Sequence, residues 1–291
     1  KGAAERIGNE LGIRSIIAEV RPEGKAAAIA ALKAKGDIIA MVGDGVNDAP
    51  GIKSADIGLS VEGATGVARA AADMILLERD LAVIADGIEV GRQTFANILK
   101  YVRMGASSNF GNMLSMAAAA FFLPFLPMLA TQILLNNILY DLSEIGIPFD
   151  RVTPDVIAEP QRWSMASLVR FALVMGPLSS LFDLTTFASL HLGFRLDVDA
   201  FRTGWFIESI ATQVLVIFII RTRSMIFQDH PHWVLTTTTL CALGMAFVVS
   251  LSPFGAWFGF TGLPVPVYLA LVIIILTYLI AAELLKRYAM R

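Results

Sequence analysis

The pattern of apolar and polar positions changes near the end of the first third of the chain. Up to about residue 80, short apolar runs alternate with mixed segments. "GKAAAIAALKAK" (24–35) has the Ala, Leu and Lys content of a helix, and Gly36 is placed to end it. "DIIAMV" (37–42) is continuously apolar rather than alternating, which predicts a buried parallel strand. "ADIGLSV" (55–61) and "DMILL" (73–77) predict two more strands, with "GVARAAA" as the helix between them. Strand, helix and strand in this order predict a doubly wound α/β sheet, whose ligands sit at the carboxyl ends of the strands.

From Leu81 the pattern is helical, with no proline before Pro124. A helix of about 40 residues is about 60 Å long. It predicts a stalk over 81–103 that runs directly into an apolar span. Six spans are expected, at about 104–123, 127–149, 166–190, 204–221, 233–251 and 265–285. Each is close to the length that crosses about 30 Å of hydrocarbon. Lys and Arg cluster on one side of these spans, at Arg92, Lys100 and Arg103, then Arg151 and Arg162, then Arg221 and Arg223, then Lys286, Arg287 and Arg291. The opposite loops are uncharged or mixed. The expectation is a multi-pass protein of the cytoplasmic membrane, with the α/β part and the C-terminus in the cytosol.

Composition sharpens this picture. Of the 291 residues, 56% are apolar and 16% are charged, against about 25% charged in a soluble domain. Mean hydropathy is +0.66. The formal charge of −2 comes with no basic tract, so no nucleic-acid partner is expected. The single cysteine, Cys241, excludes a disulfide within the chain. The start "KGAAERIGNELGI" has neither an initiator Met nor a signal-peptide pattern and predicts a trimmed chain.

The densest chemistry is "MVGDGVNDAP" (41–50), directly after the first strand. Gly43 and Gly45 permit a tight turn. Asp44 and Asp48 can give oxygen ligands to Mg²⁺, Asn47 can donate to a phosphoryl oxygen, and Lys25 offers a positive charge to the same group. A short "GDG" alone is more often a capped strand-to-helix loop; the longer "VGDGVNDAP" is far more specific.

That stretch resembles the hinge motif of P-type ATPases, and the similarity extends through "AADMILL" and "GRQTFANILKYVRMGASSNFGN". The resemblance implies a partial α/β haloacid-dehalogenase-like domain (1–80), the stalk, and an all-α six-helix transmembrane bundle (104–291). By analogy Asp44 and Asp48 would serve catalytic Mg²⁺, Asn47 would contact the phosphoryl group, and Lys25 would be the phosphate-contacting lysine. The family's "DKTGT" segment with the phosphorylated aspartate is absent from this chain, as are its "TGES" loop and nucleotide-binding domain. The resemblance therefore implies that ATP is bound by an N-terminal part of the pump, and that this chain alone is inactive.

In the apolar region, Asn109 and Asn112 are i, i+3, and Asn137 and Asp141 are i, i+4, on spans joined by "PFLP". The short turn predicts antiparallel neighbours whose polar pairs meet in mid-membrane. Ionisable groups at that depth mark pathways or paired sites, while asparagines such as Asn136 also serve as interhelical hydrogen-bonding groups. The resemblance places Asn109, Asn112, Asn137 and Asp141 at ion-coordinating positions and makes Glu208 a further ligand candidate. Asp183 reads as a helix–helix contact and Glu144 as an access-path residue.

"LLNNILYDLSEIGIPFDRV" followed by "QRWSM" is similar to the magnesium-transporting branch. The expected function is a segment of an ATP-driven cation pump, with Mg²⁺ as the transported ion, the lipid bilayer as surroundings and the N-terminal part of the same pump as partner. A calcium or proton pump is the alternative in the same class. A stand-alone, non-catalytic membrane scaffold or regulator is the alternative in another.

Overall fold

A computed structural model describes every residue except Lys1, Arg14, Glu19, Arg21, Arg79, Leu81 and Arg291. The expected helix start at Leu81 and the terminal charge at Arg291 therefore lie outside the described residues. The chain divides into two compact units, Lys1–Ile88 and Glu89–Arg291.

The first unit begins with helices α1 (Gly2–Glu10) and α2 (Pro22–Lys33). Gly36 has φ +91°, a left-handed conformation that glycine adopts freely, and the chain turns there into the sheet. Strands β1 (Ala40–Val42), β2 (Ile57–Val61) and β3 (Met74–Leu76) are joined by α3 (Ala49–Ser54) and α4 (Gly66–Ala71). All pairing is parallel in the order β1-β2-β3. A doubly wound sheet needs a reversal of strand order, and the described strands have none. Right-handed crossovers in one direction put α3 and α4 on the same face, and α3 packs against α2 and α4. The expected strand 37–42 shrinks to its last three residues. Among the described residues β1 pairs with β2 alone, and Val42 is 38% exposed.

The second unit is helical. Helix α5 (Ala82–Phe122) starts in the first unit and continues through the second. It is followed by α6 (Ala130–Glu144), a 3₁₀ turn (Ile147–Phe149), α7 (Pro154–Ala158), α8 (Met165–Ala188) with a π turn over Ser189–Gly193, α9 (Val198–Ile220), α10 (Trp233–Leu251) and α11 (Val265–Ala289). Among the described residues four helices, α8 to α11, are long and apolar enough to cross a membrane. Helix α6 has 15 residues, about 22 Å at 1.5 Å per residue, because Gly146 and Pro148 turn the chain early.

Helix α9 is apolar on all sides and is packed by α11, α10, α6 and α8. A helix of that pattern belongs inside a bundle, and 89% of its apolar window is buried, against 22–28% for the other three. Those three carry outward Leu173, Leu181, Val248, Leu269, Ile273 and Ile280, a surface suited to lipid rather than water.

The "PFLP" turn does not lay α6 along α5 as its main neighbour. Helix α6 packs mainly on α10 and α9. A Cβ on Gly146 would lie 2.5 Å from Leu235 Cα, so glycine sets how closely the end of α6 approaches α10.

Candidate phosphate and cation sites

In the first unit the chain leaves β1 at Gly43 and enters the 3₁₀ turn Val46–Asp48, which leads straight into α3. Pro50 in the first turn of α3 costs no hydrogen bond there. A Cβ on Gly43 would lie 2.5 Å from Asp48 Cβ, so the motif closes on itself only with glycine at that position. Asp48 is fixed from two sides. Lys25 Nζ donates to its Oδ1 at 2.5 Å, and the Gly45 N–H donates to Oδ2 at 3.1 Å. The Lys25 ammonium beside Asp48 holds its carboxyl below the usual aspartate range, against the opposing effect of burial. Asp44 is tied by its backbone: its carbonyl accepts from Thr65 N–H at 2.9 Å and Thr65 Oγ1 at 3.3 Å. The Asp44 and Asn47 residues themselves are exposed. The structure thus joins Lys25 to Asp48 and leaves Asp44 and Asn47 open at the same loop.

No group of three or more His, Cys, Asp or Glu converges as a metal cage among the described residues. Mg²⁺ does not need one, since it is commonly held by one or two carboxylates with phosphate and water completing the shell. The open Asp44 carboxylate and the part-buried Asp48 fit such an ion, with Lys25 as the competing charge at Asp48.

In the second unit the polar groups gather around a residue that the sequence reading passed over. Gln213 on α9 is 5% exposed. Its Nε2 donates to Ser209 Oγ at 2.6 Å and to Asn112 Oδ1 at 3.4 Å. Its Oε1 accepts from Ser108 Oγ at 3.1 Å and from Asn136 Nδ2 at 3.5 Å. Gln213 therefore links α5, α6 and α9. Of the expected ion ligands, Asn112 joins this cluster, while Asn109, Asn137 and Asp141 lie at the surface of the described chain. The signal for Gln213 was present in the sequence: a carboxamide four residues after Ser209, on a helix that also carries Glu208 and Thr212 among apolar residues.

Glu208 is 1% exposed and lies against Asp183 of α8, itself 2% exposed. Asp183 accepts from Ser115 Oγ at 2.5 Å and from Trp205 Nε1 at 2.8 Å, so it does bond helix to helix. Glu208 Oε2 has no partner in the described protein. Two carboxyl groups at that depth, without an adjacent cation, are costly unless they share a proton or an ion.

The segment after α6 is held by charge. Asp150, with a fully buried side chain, accepts from Arg221 Nε at 2.9 and 3.1 Å and from Lys100 Nζ at 2.8 Å. Burial pushes the Asp150 carboxyl up, but Arg221 and Lys100 outweigh it and hold it below the ordinary range. Asn97 Nδ2 donates to the carbonyls of Pro148 and Asp150 at 3.1 and 3.0 Å. Together these contacts pin the loop to α5 and α9.

Comparison with known proteins separates the two units. Residues 125–288 match the family model described as cation transporting ATPase, C-terminus, and residues 1–56 match haloacid dehalogenase-like hydrolase. The chain is 40% identical over 95% of its length to a "Magnesium-transporting ATPase, P-type 1" of Salmonella typhimurium, and 41% identical over the same share to one of Escherichia coli. It is 36% identical over 59% of its length to "Calcium-transporting ATPase 1" of Bacillus cereus, of which it covers 20%. The chain spans 31% of the length of the two magnesium-transporting relatives. The small parallel sheet is a partial haloacid-dehalogenase-like domain, and the long apolar helices make the chain an integral membrane protein. The match over 125–288 takes in more than half of the chain, which belongs to the cation-transporting ATPase family.

Proposed function

We propose that the chain is the C-terminal segment of an ATP-driven magnesium pump, working through an aspartyl-phosphate intermediate whose acceptor lies in the part of the pump that precedes it. One observation carries this reading: similarity to two magnesium-transporting ATPases runs through 95% of the chain, across both units. The Gln213 cluster supports it. Its oxygens are those of carboxamides and hydroxyls, bonded here to one another, and such neutral donors would suit an ion that keeps part of its water.

In the phosphate loop, Asp44 and Asp48 would hold catalytic Mg²⁺, which supplies charge neutralisation for a phosphoryl group. Lys25 orients Asp48 through their ion pair and presents its ammonium to the same place. Asn47, exposed beside them, donates to a phosphoryl oxygen. ATP itself is bound by the preceding part of the pump, so the chain alone hydrolyses none. In the bilayer, six spans are proposed, counting the second half of α5 and α6 with α8 to α11. Lys and Arg on one side place the first unit and the C-terminus in the cytosol. Asn109, Asn112, Asn137, Asp141 and Glu208 form the proposed transport route, with Asp141 as its carboxylate on α6.

The test is ATP hydrolysis against free Mg²⁺, with nucleotide-bound Mg²⁺ saturating, in a protein that joins this chain to the preceding domains. Asp141→Asn abolishes the stimulation by free Mg²⁺, and Asn112→Ala weakens it less because a retained water replaces one neutral ligand. Stimulation by calcium with indifference to Mg²⁺ would favour the calcium reading, which the Bacillus cereus relative supports. A normal Mg²⁺ response in Asp141→Asn would remove that residue from the route.

A further inference from the structure

The carboxyl groups of Asp183 on α8 and Glu208 on α9 hydrogen-bond each other inside the bundle. Two ionised carboxylates are acceptors only and cannot make that bond; one of them must bring an O–H. The donors around the pair are shared unequally. Asp183 Oδ1 faces Trp205 Nε1 at 2.8 Å, and Oδ2 lies 2.5 Å from Ser115 Oγ. An indole N–H only donates, so Asp183 Oδ1 meets it as an acceptor. Glu208 receives nothing comparable: no donor among the described residues reaches its Oε2.

The neighbouring elements do not bring a compensating cation. Helix α11 sets Tyr278 beside the pair, and its Lys286 donates instead to the carbonyls of Ile219 and Ser224. Helix α10 offers only the exposed Cys241. On α6, Asp141 is exposed and Glu144 is paired with Tyr140. Arg170 of α8 is exposed. An ionised Glu208 would therefore be a buried charge with neither a cation nor a donor, which is costly. As a neutral acid it turns the same contact into a hydrogen bond.

We propose that the Asp183–Glu208 pair is a proton-binding site, in which Glu208 is held as a neutral carboxylic acid whose O–H donates to Asp183. A proton needs neither a void nor accessible surface. The neutral acid is also the form in which α9 enters hydrocarbon at least cost. The consequence rests on the proposed pump and deepens it: Glu208 takes its place in the transport route as an uncharged group, leaving Asp141 to meet the charge of the ion. Asp183, fastened by Trp205 and Ser115, is the positioning residue that holds the acid in place.

Infrared difference spectroscopy of the chain in lipid nanodiscs at neutral pH tests this, because a protonated carboxyl absorbs above the amide I band and a carboxylate below it. Every sample carries Glu144→Gln, so that the other buried glutamate is silent. The expected spectrum has a protonated-carboxyl band that is lost in Glu208→Gln and persists in saturating Mg²⁺. Glutamine can donate to Asp183 in place of the acid, so this variant should keep the fold, which circular dichroism checks. Isotopic labelling of glutamate side-chain carboxyls assigns the band without touching Glu208: it should shift with labelled glutamate. Asp183→Asn should keep the band but move its frequency, because the acceptor of the O–H has changed; a bystander aspartate would leave it unmoved. A difference between the chains with and without Glu208→Gln that shows only a carboxylate overturns the proposal. So does a band that Mg²⁺ abolishes, which would make the pair an ion site. No ATP is involved, so failure of the pump reading and failure of this site are told apart.

Discussion

Arg221 donates through one nitrogen to both carboxylate oxygens of Asp150, at 2.9 and 3.1 Å, with both side chains shut away from solvent. Lys100 reaches the same carboxylate from α5. Removing the anion leaves Lys100 without its carboxylate and the buried Arg221 with the more distant Asp229 alone. Asp150→Ala is expected to destabilise the helical unit by about 3–5 kcal/mol, and Asp150→Asn by less because its carbonyl still accepts. Thermal unfolding in detergent measures this. A loss below about 1 kcal/mol, the value of an exposed pair, would show that the contact is not closed to water.

Acid should act through the same carboxylate. Its folded-state pKa is depressed, so the ionised form is favoured by folding. The stabilisation is fully present above the ordinary aspartate range, near pH 4, and is lost as the pH falls through the lower folded value. The unfolding midpoint is expected to stay level down to that range and then decline. Asp150→Asn should flatten part of the decline, and an unchanged slope in that variant would assign acid sensitivity elsewhere.

Two glycines should respond in opposite directions to the same substitution. A Cβ on Gly146 meets Leu235 Cα at 2.5 Å, while a Cβ on Gly244 in α10 meets nothing within 4 Å. Gly146→Ala forces backbone apart and should cost about 1–3 kcal/mol. Gly244→Ala should be neutral or stabilise by up to about 1 kcal/mol through helix propensity. Equal effects at the two positions would mean that α6 and α10 are not in close backbone contact.

The proposed orientation is checked with a topology reporter. Fused to the C-terminus it should report from the cytosol, and inserted in the 192–203 loop it should report from the outside. A cytosolic signal from the loop would break the six-span arrangement.

Much of this could be read from the chain itself. "MVGDGVNDAP" was legible as a tight loop because its glycines and carboxylates follow a strand, and the Lys25–Asp48 pair shows that the two segments meet. The length of β1 was overestimated, since an apolar run does not fix where a strand begins. Gln213 and Asn97 were missed for a different reason. What makes each matter is which other helices arrive beside it, and the spacing along its own helix does not tell that. The α5–α6 pairing failed likewise: a short turn fixes where two helices join, not which neighbours they prefer along their length.

Helix α9 has the composition of a self-sufficient membrane segment, yet it holds Glu208, Ser209, Thr212 and Gln213 in its middle, all buried against protein. Alone among lipid tails these four would face hydrocarbon. With α8, α10 and α11 around it they face each other and their neighbours. Two of those neighbours, α10 and α11, are made after α9 during synthesis, so its final seating waits on chain that does not yet exist. Nascent chains ending at Ser224 should leave α9 open to protease or to loss from the bilayer, and chains ending at Met290 should not. A segment apolar enough to cross the membrane by itself thus depends for its seating on chain made after it.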